Sequence, residues 1–566
     1  MHRDLSQLAG QSFDLVIVGG GVHGAWIAWD AALRGLSVAL IERGDFGQET
    51  SANSLKTVHG GLRYLQDLDI GLVRTMIQER SAYLRIAPHL VHPLPCLMPT
   101  YTKLMRSRPV MGAAIRLNDL FGLDRNRHAD VDKSLPFGRL LSRKESLAAL
   151  PGIEKDDITG GVVWYDGQIY DSERFTLSLI KSAAWKGAVV ANYVEACGFL
   201  VNGRSLVGVK VRDVLTGTEF QVQSKLTINA AGPWVDRVLG NLRLQVHDKK
   251  FNHSLAMNIL VRKFIPEYAA GIPSWPSAKE NGKNSHMLFV SPWRDCSIVG
   301  TFHSHYQGDP DQFEVREEVL QDILDEVNSA YPGAGLELED IRFVHRGFLP
   351  EEQGADRGEV RLVRSGKIHD HKAESDLEGL ITVIGVKYTS ARRVAEKAVD
   401  LAFRHLGKKN PACTTRHMRL QDGQMESFSG YLAQANHEEK ESMNVQLVDH
   451  LVRSYGSEYP KVVRGIGKKS DMEVLSLGSP DVLRAVTLHA IEEEMAVKLS
   501  DVILRRTALG SAGRPQAEHL EYCAKVMGEA CGWDESRMNA EIEAVTAVYG
   551  RLGLSPPSAI SDNRSR

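Results

Sequence analysis

The sequence predicts an α/β protein that finishes in an all-helical unit, and three stretches predict it. FDLVIVGGGVHGAWIAWDAALRGLSVALIER reads as strand, glycine turn, helix and second strand. MLFVSPWRDCSIVGTF alternates like a hairpin, which marks antiparallel sheet. Residues 411–552 repeat their apolar side chains at helical spacing. With 566 residues the chain is too long for one ordinary domain, so two or three are expected.

The composition excludes several classes. A hydrophobic fraction of 43% and a charged fraction of 25% belong to a soluble globular protein. The formal net charge of −3 lacks the positive potential a nucleic-acid binder needs. The start, MHRDLSQLAGQSFD, has no apolar core of a signal peptide. No apolar run approaches the ~18 residues of a spanning helix, so a cytoplasmic protein is expected. Cys96, Cys197, Cys296, Cys413, Cys523 and Cys531 are scattered, with no C-x-x-C pair to suggest metal or dithiol chemistry.

In the first stretch, Phe13 to Val18 is a nearly continuous apolar run, as expected of a buried parallel strand. Gly19-x-Gly21-x-x-Gly24 follows, then Ala25, Ala28, Ala31 and Ala32 at helical spacing up to Gly35. The second strand, Ser37 to Ile41, ends at Glu42. Gly19 permits the tight turn, Gly21 lets a pyrophosphate approach the backbone, and Gly24 lets helix and strand pack closely. The helix N-terminus then presents free N–H groups to phosphate, and Glu42 stands where a carboxylate meets ribose hydroxyls. A lone GxGxxG marks many turns; this one has the strand, helix and acid of a dinucleotide site. The acid disfavours the 2′-phosphate of NADP.

A nicotinamide enzyme would continue in regular βα units. Here the chain enters GQETSANSLKTVHGGLRYL, a loop of hydroxyls and paired glycines suited to run along a cofactor. LTINAAGPWVDRVL passes from strand to Ala-Gly-Pro, and GLITVIGVKYTSARRVAEKAVDLAF turns at Gly385 into a helix starting near Thr389 and Ser390. That helix terminus can stabilise negative charge on a reduced flavin ring.

These residues carry a resemblance. From GGGVHGA through SLKTVHGGLRYL, NAAGPWV and GVKYTS to RRTALG, the chain closely resembles the FAD-dependent, membrane-associated glycerol-3-phosphate dehydrogenases and their oxidase relatives. The resemblance implies a Rossmann-like FAD-binding domain of the glutathione-reductase/D-amino-acid-oxidase type, an antiparallel-sheet substrate domain and a C-terminal helical domain. It implies that Gly19, Gly21, Gly24 and Glu42 hold the ADP half of FAD. Thr50, Ser51, Ser54 and Leu55 would follow the pyrophosphate and flavin, Val194 would hold the adenine by its backbone, and Gly232 would pass beneath. Gly385, Lys387, Tyr388 and Thr389 would reach the pyrimidine edge. On the substrate side it implies cations at Arg63, Arg364 and Lys387, with Tyr64 and Thr389 orienting the substrate. Arginine suits phosphate because its planar fork binds two oxygens at once.

Three positions depart from the family pattern. Leu349 in Gly347-Phe348-Leu349-Pro350 stands where the family has an arginine, and Asn258 stands where it has a histidine. Gly300-Thr301-Phe302-His303 replaces a Gly-Thr-Thr-Asp segment, which makes His303 a candidate base. Losing an arginine removes a phosphate contact of roughly 1.5–3 kcal/mol and makes that wall apolar. The expected reaction is therefore oxidation of glycerol 3-phosphate, or a close analogue, to the ketone, with a quinone as acceptor. A larger or less charged polyol derivative, and amine oxidation of the glycine or sarcosine oxidase type, stay open beside it.

The expected boundaries are 10–95, 150–240 and 355–408 for the FAD-binding domain and 96–149 and 241–354 for the substrate domain. Residues 411–552 form the helical domain and 553–566 a disordered tail. LRAVTLHAIEEEMAVKLSDVILRR spaces Val486, Ile491, Met495 and Leu499 as one helix, with His489 and Glu493 one turn apart, on a solvated or interdomain face in preference to a metal pair. Residues 106–125 read as a basic amphipathic helix, suited to a membrane interface or to packing on the substrate domain. A homodimer is compatible with the sequence, which leaves the oligomeric state open.

Overall fold

Apolar runs with no polar face need cover on both sides, and the first sheet of this computed structural model provides it. Residues 1–127, 129–154, 156–242, 252–274, 286–352, 360–466 and 475–554 are described. The first sheet contains β1 (Ser12–Val18), β2 (Val38–Ile41), β7 (Val189–Ala191), β8 (Val194–Asn202), β9 (Ser205–Asp213), β10 (Glu219–Asn229), β16 (Lys367–Asp370) and β17 (Leu380–Ile384). Its spine runs β16-β17-β10-β1-β2-β7, with β8 and β9 attached through β10. β1 is central and parallel to both β2 and β10. Helices Val22–Leu33, Ser172–Trp185 and Ala391–Leu406 pack together against it, burying Trp26, Phe175 and Val399.

The second sheet holds β3 (Thr57–Val58), β4 (Val91–Tyr101), β5 (Arg139–Ser142), β6 (Ile158–Ile169), β11 (Asn252–Arg262), β12 (Ala269–Ser274), β13 (His286–Trp293), β14 (Cys296–Tyr306) and β15 (Ile341–Glu351). Its order is β15-β11-β14-β13-β12-β4-β6-β3, with β5 on β6. β13 and β14 form the hairpin expected from MLFVSPWRDCSIVGTF, turning at Arg294 with φ 55°. β6 lies in this sheet and not in the first, so 158–169 are not part of the nucleotide unit expected for 150–240. The reason is pairing: β6 hydrogen-bonds along β4 for its whole length.

The helical unit shares a core with the second sheet: Val502, Met527 and Tyr549 pack with Phe343 and Val344. The single helix expected through Leu499 instead ends at Glu494, because Met495 takes the left-handed conformation at φ 54°. His489 is buried 3.4 Å from Glu494, which pairs with Arg174 of the helix Ser172–Trp185 at 2.7 Å, so it faces the first unit and not solvent. The basic amphipathic stretch is a helix at Arg108–Phe121. The tail, from residue 555 on, lies outside the described residues. Among the described residues no helix is long and apolar enough to cross a membrane.

Candidate functional site

A cleft of about 1920 Å³, its open mouth included, runs between the C-terminal ends of β1, β10 and β17 and the inner face of β11 and β15. Parallel strands end in turns on the same side, so ligands collect there. Each fingerprint glycine meets a different constraint. Gly19 has φ +110°, and a Cβ on it would lie 2.6 Å from the Ala230 carbonyl oxygen. A Cβ on Gly24 would lie 1.9 Å from the Gly19 oxygen, so the helix could not seat on the turn. At Gly21 the nearest atom is Ser51 Oγ at 3.1 Å, and a side chain would project into the cleft.

Glu42 opens onto the cleft but is screened from bulk water, and that burial pushes its carboxyl pKa up. It accepts hydrogen bonds from the N–H groups of Gly20 at 2.6 Å and Gly44 at 2.8 Å. Ser51 Oγ accepts the N–H of Val22 at 2.9 Å. Thr50 Oγ1 accepts the N–H of Phe348 at 3.1 Å, which ties the loop to β15 beside Leu349. Ser54, Leu55, Val194, Gly232 and Gly385 line the cleft. Tyr388 borders it too, but its hydroxyl points behind the wall and donates to the Ser172 carbonyl at 3.0 Å.

The predicted substrate residues divide into two groups. Lys387 and Thr389 line the cleft. Arg63, Tyr64 and Arg364 stand beside Lys387 at its edge: Lys387 Nζ lies 4.7 Å and Arg63 Cζ 5.1 Å from the Tyr64 ring centroid. Lys387 donates to the Arg364 carbonyl. Burial, with the charges of Arg63 and Arg364, lowers the Lys387 ammonium to about 8. Arg364 has Asp67 at 3.5 Å, while Arg63 makes no ion pair among the described residues.

His303 does not join this group. It is exposed outside the cleft wall, with Nδ1 3.4 Å from Ser254 Oγ. The strand register shifts between Met257 and Asn258, and Thr301 is the extra residue. Thr301 therefore faces the cleft and donates to Asn258 Oδ1 at 2.8 Å. Leu349 lines the cleft, and Arg346 is turned away over the Phe313 ring.

Two histidines on the cleft wall escaped sequence reasoning, although both lie inside quoted motifs. His23, in the fingerprint, packs its ring on Gly385, where a Cβ would come within 2.1 Å of it. His59, in HGGLRYL, donates its backbone N–H to Thr389 Oγ1 at 3.3 Å. Burial lowers both imidazoles to about 4, so they are neutral at pH 7. His23 Nε2, His59 Nδ1 and Trp234 Nε1 are buried without a protein partner. Such groups cost about 1–3 kcal/mol unless a ligand satisfies them. Glycine cradle, acceptor carboxylate and unpaired polar atoms fit FAD.

A cleft of this construction defines a flavin-binding oxidoreductase. The family model "FAD dependent oxidoreductase" matches residues 14–401, and that of the "C-terminal domain of alpha-glycerophosphate oxidase" matches 413–538. The chain is 30% identical to the glycerol-3-phosphate dehydrogenase of Synechocystis sp. over 559 residues, 96% of this chain and 97% of that one. It is 32% identical to the mitochondrial glycerol-3-phosphate dehydrogenase of Mesocricetus auratus, over 96% of this chain and 74% of the relative. Among solved structures, the glycerol-3-phosphate dehydrogenase from Bacillus halodurans complexed with FAD superposes with TM-score 0.76 at 24% identity, covering 98% of both chains; it shares the fold. The chain belongs to the FAD-dependent oxidoreductase family, in its glycerol-3-phosphate dehydrogenase branch.

Proposed function

We propose that the protein oxidises the secondary alcohol of glycerol 3-phosphate to dihydroxyacetone phosphate, with a quinone as final acceptor. One observation carries the substrate: Arg63, Arg364 and Lys387 gather at the cleft edge, with Asp67 3.5 Å from Arg364 and Asp69 acting on Lys387 as counter-charges. Charge of that sign and density suits a small phosphate. FAD, when bound, supplies the two-electron acceptor. Arg63 and Arg364 hold the phosphate, and Tyr64 supports Arg63 and Lys387, which lie over its ring. Lys387, lowered to about 8, is positioned as proton acceptor: its neutral form takes the hydroxyl proton at Nζ. Thr389, fixed by the His59 backbone, limits how the alcohol can turn.

Leu349, Asn258 and Thr301 favour a second reading on the same chemistry, a larger or less charged polyol phosphate, because the arginine of the family pattern is missing there. Anaerobic flavin bleaching separates the readings. Glycerol 3-phosphate should bleach the flavin and glycerol should not. Bleaching by a longer polyol phosphate alone would replace the first substrate with the second.

A membrane surface as partner is supported by the segment around helix Arg108–Phe121. Leu104, Met105, Leu120 and Leu123 are exposed there, interspersed with Arg106, Arg108 and Arg116. Exposed apolar side chains flanked by basic ones suit an interfacial helix at an anionic membrane surface. Anionic vesicles should bind the protein at low salt, and replacing the three arginines should release it; indifference to such vesicles would remove this partner.

A further inference from the structure

Among the described residues, none of the helical unit lines the cleft. Behind the wall, however, that unit grips the two segments that form the nucleotide end. Asp45, fully buried three residues after Glu42 and bordering the cleft, receives Arg505 Nε at 2.6 Å. It also receives Arg506 Nη1 at 2.7 Å and Nη2 at 2.8 Å. The second segment, Asn192 to Val194, is held similarly. Asn192 donates to Asp45 at 3.1 Å and to the Met495 carbonyl at 2.9 Å, and the Tyr193 hydroxyl donates to Asp501 at 2.6 Å. Arg505 closes the ring on Asp501 at 2.6 Å.

The two segments are also tied to each other and to the glycine turn. Tyr193 N–H reaches the Gly44 carbonyl at 2.9 Å, Val194 N–H the Glu42 carbonyl at 2.7 Å, and Gly47 N–H the Gly20 carbonyl at 3.1 Å. Burial alone would raise the Asp45 carboxyl pKa, but Arg506 and Arg505 hold it well below the usual carboxylate range. It is therefore an anion on the wall of a cleft made for a diphosphate, neutral to its surroundings only while both arginines are docked. Taking one partner from a buried pair leaves an uncompensated charge, which harms more than removing both.

We propose that Arg505 and Arg506 are positioning residues for the cofactor: by neutralising and anchoring Asp45 they hold Glu42–Ser51 and Asn192–Val194 in place, so docking of the C-terminal helical unit sets FAD affinity. The proposal rests on FAD as cofactor and not on the identity of the substrate.

The test is FAD titration of the full-length apoprotein, followed by flavin fluorescence, with the apoprotein's thermal unfolding measured in parallel. Arg506→Ala should weaken FAD binding about 10- to 100-fold. Arg506→Lys, which keeps the charge but loses the fork, should fall between. Adding Asp45→Asn to Arg506→Ala should recover about tenfold of the loss, because the stranded anion is gone. If Arg506→Ala does not fold, Arg506→Lys and the double variant Asp45→Asn/Arg506→Gln carry the same comparison. FAD affinities within about twofold of wild type, with only the unfolding temperature lowered, would overturn the proposal and leave the arginines a purely structural role.

Discussion

At the nucleotide end of the cleft, Gly19, Gly20 and Gly24 have no room for a Cβ, since backbone or side-chain atoms lie within 2.8 Å of where each would stand. At the other end, Asn258, Thr301 and Leu349 project into the cleft from β11, β14 and β15, and a Cβ on the neighbouring Gly300 or Gly347 would meet a side chain first, Asn258 Oδ1 at 2.2 Å or Thr50 Cγ2 at 2.8 Å. The first end is shaped by backbone, and an added atom there displaces a strand or a helix. The second is shaped by side chains, two of which, Asn258 and Thr301, meet at the bulge between β11 and β14. Recognition of the cofactor therefore tolerates little variation, while recognition of the substrate can change without disturbing the fold.

The largest effect should follow from Gly24→Val, which forces the helix off its turn. The purified protein should be colourless and less stable; a yellow protein with stoichiometric flavin would dissolve the contrast between the two ends. Lys387→Met should come next, lowering kcat/KM about 10²- to 10⁴-fold while FAD stays bound. The pH profile sharpens that expectation. The base must be deprotonated, so kcat/KM of the wild type should rise about tenfold per pH unit below about 8 and level off above it. A profile that falls through the same region would instead make Lys387 a phosphate-binding cation. Leu349→Arg should raise kcat/KM for glycerol 3-phosphate about 10- to 100-fold if its fork reaches the phosphate. A decrease would mean that the pocket has re-formed around Leu349. The smallest effect is expected of Thr50→Val, which cuts the Thr50–Phe348 hydrogen bond joining the two ends, at about 0.5–1.5 kcal/mol in chemical unfolding.

The nucleotide end was readable because its requirements are steric and local. The glycine spacing, the apolar strand and Glu42 all fall within 30 consecutive residues, 13–42. The hairpin at Arg294 and the helix beginning after Ser390 were readable for the same reason. What failed to show depends on contacts distant in sequence. A bulge between β11 and β14 brought Thr301 to the cleft and left His303 outside, and alternation along one strand cannot register an extra residue. The pairing of β6 with β4 moved 158–169 into the second sheet. Nothing near Asp45 in the sequence marks it, because its partners lie some 460 positions away.

Gly385 carries a consequence for how this lineage can change. Its missing side chain leaves the space that the His23 ring fills, and any Cβ would overlap three atoms of that ring within 2.4 Å. The two positions belong to distant parts of the gene, yet they are not free to drift separately. A mutation that adds bulk at 385 is harmful while 23 is histidine and becomes acceptable only after that ring has been replaced by something smaller. The order of events is thus constrained in one direction: 23 must shrink first. A chain that has taken that step has also given up a neutral imidazole on the wall of the cleft, so the route to a bulkier 385 passes through a protein with an altered cleft lining.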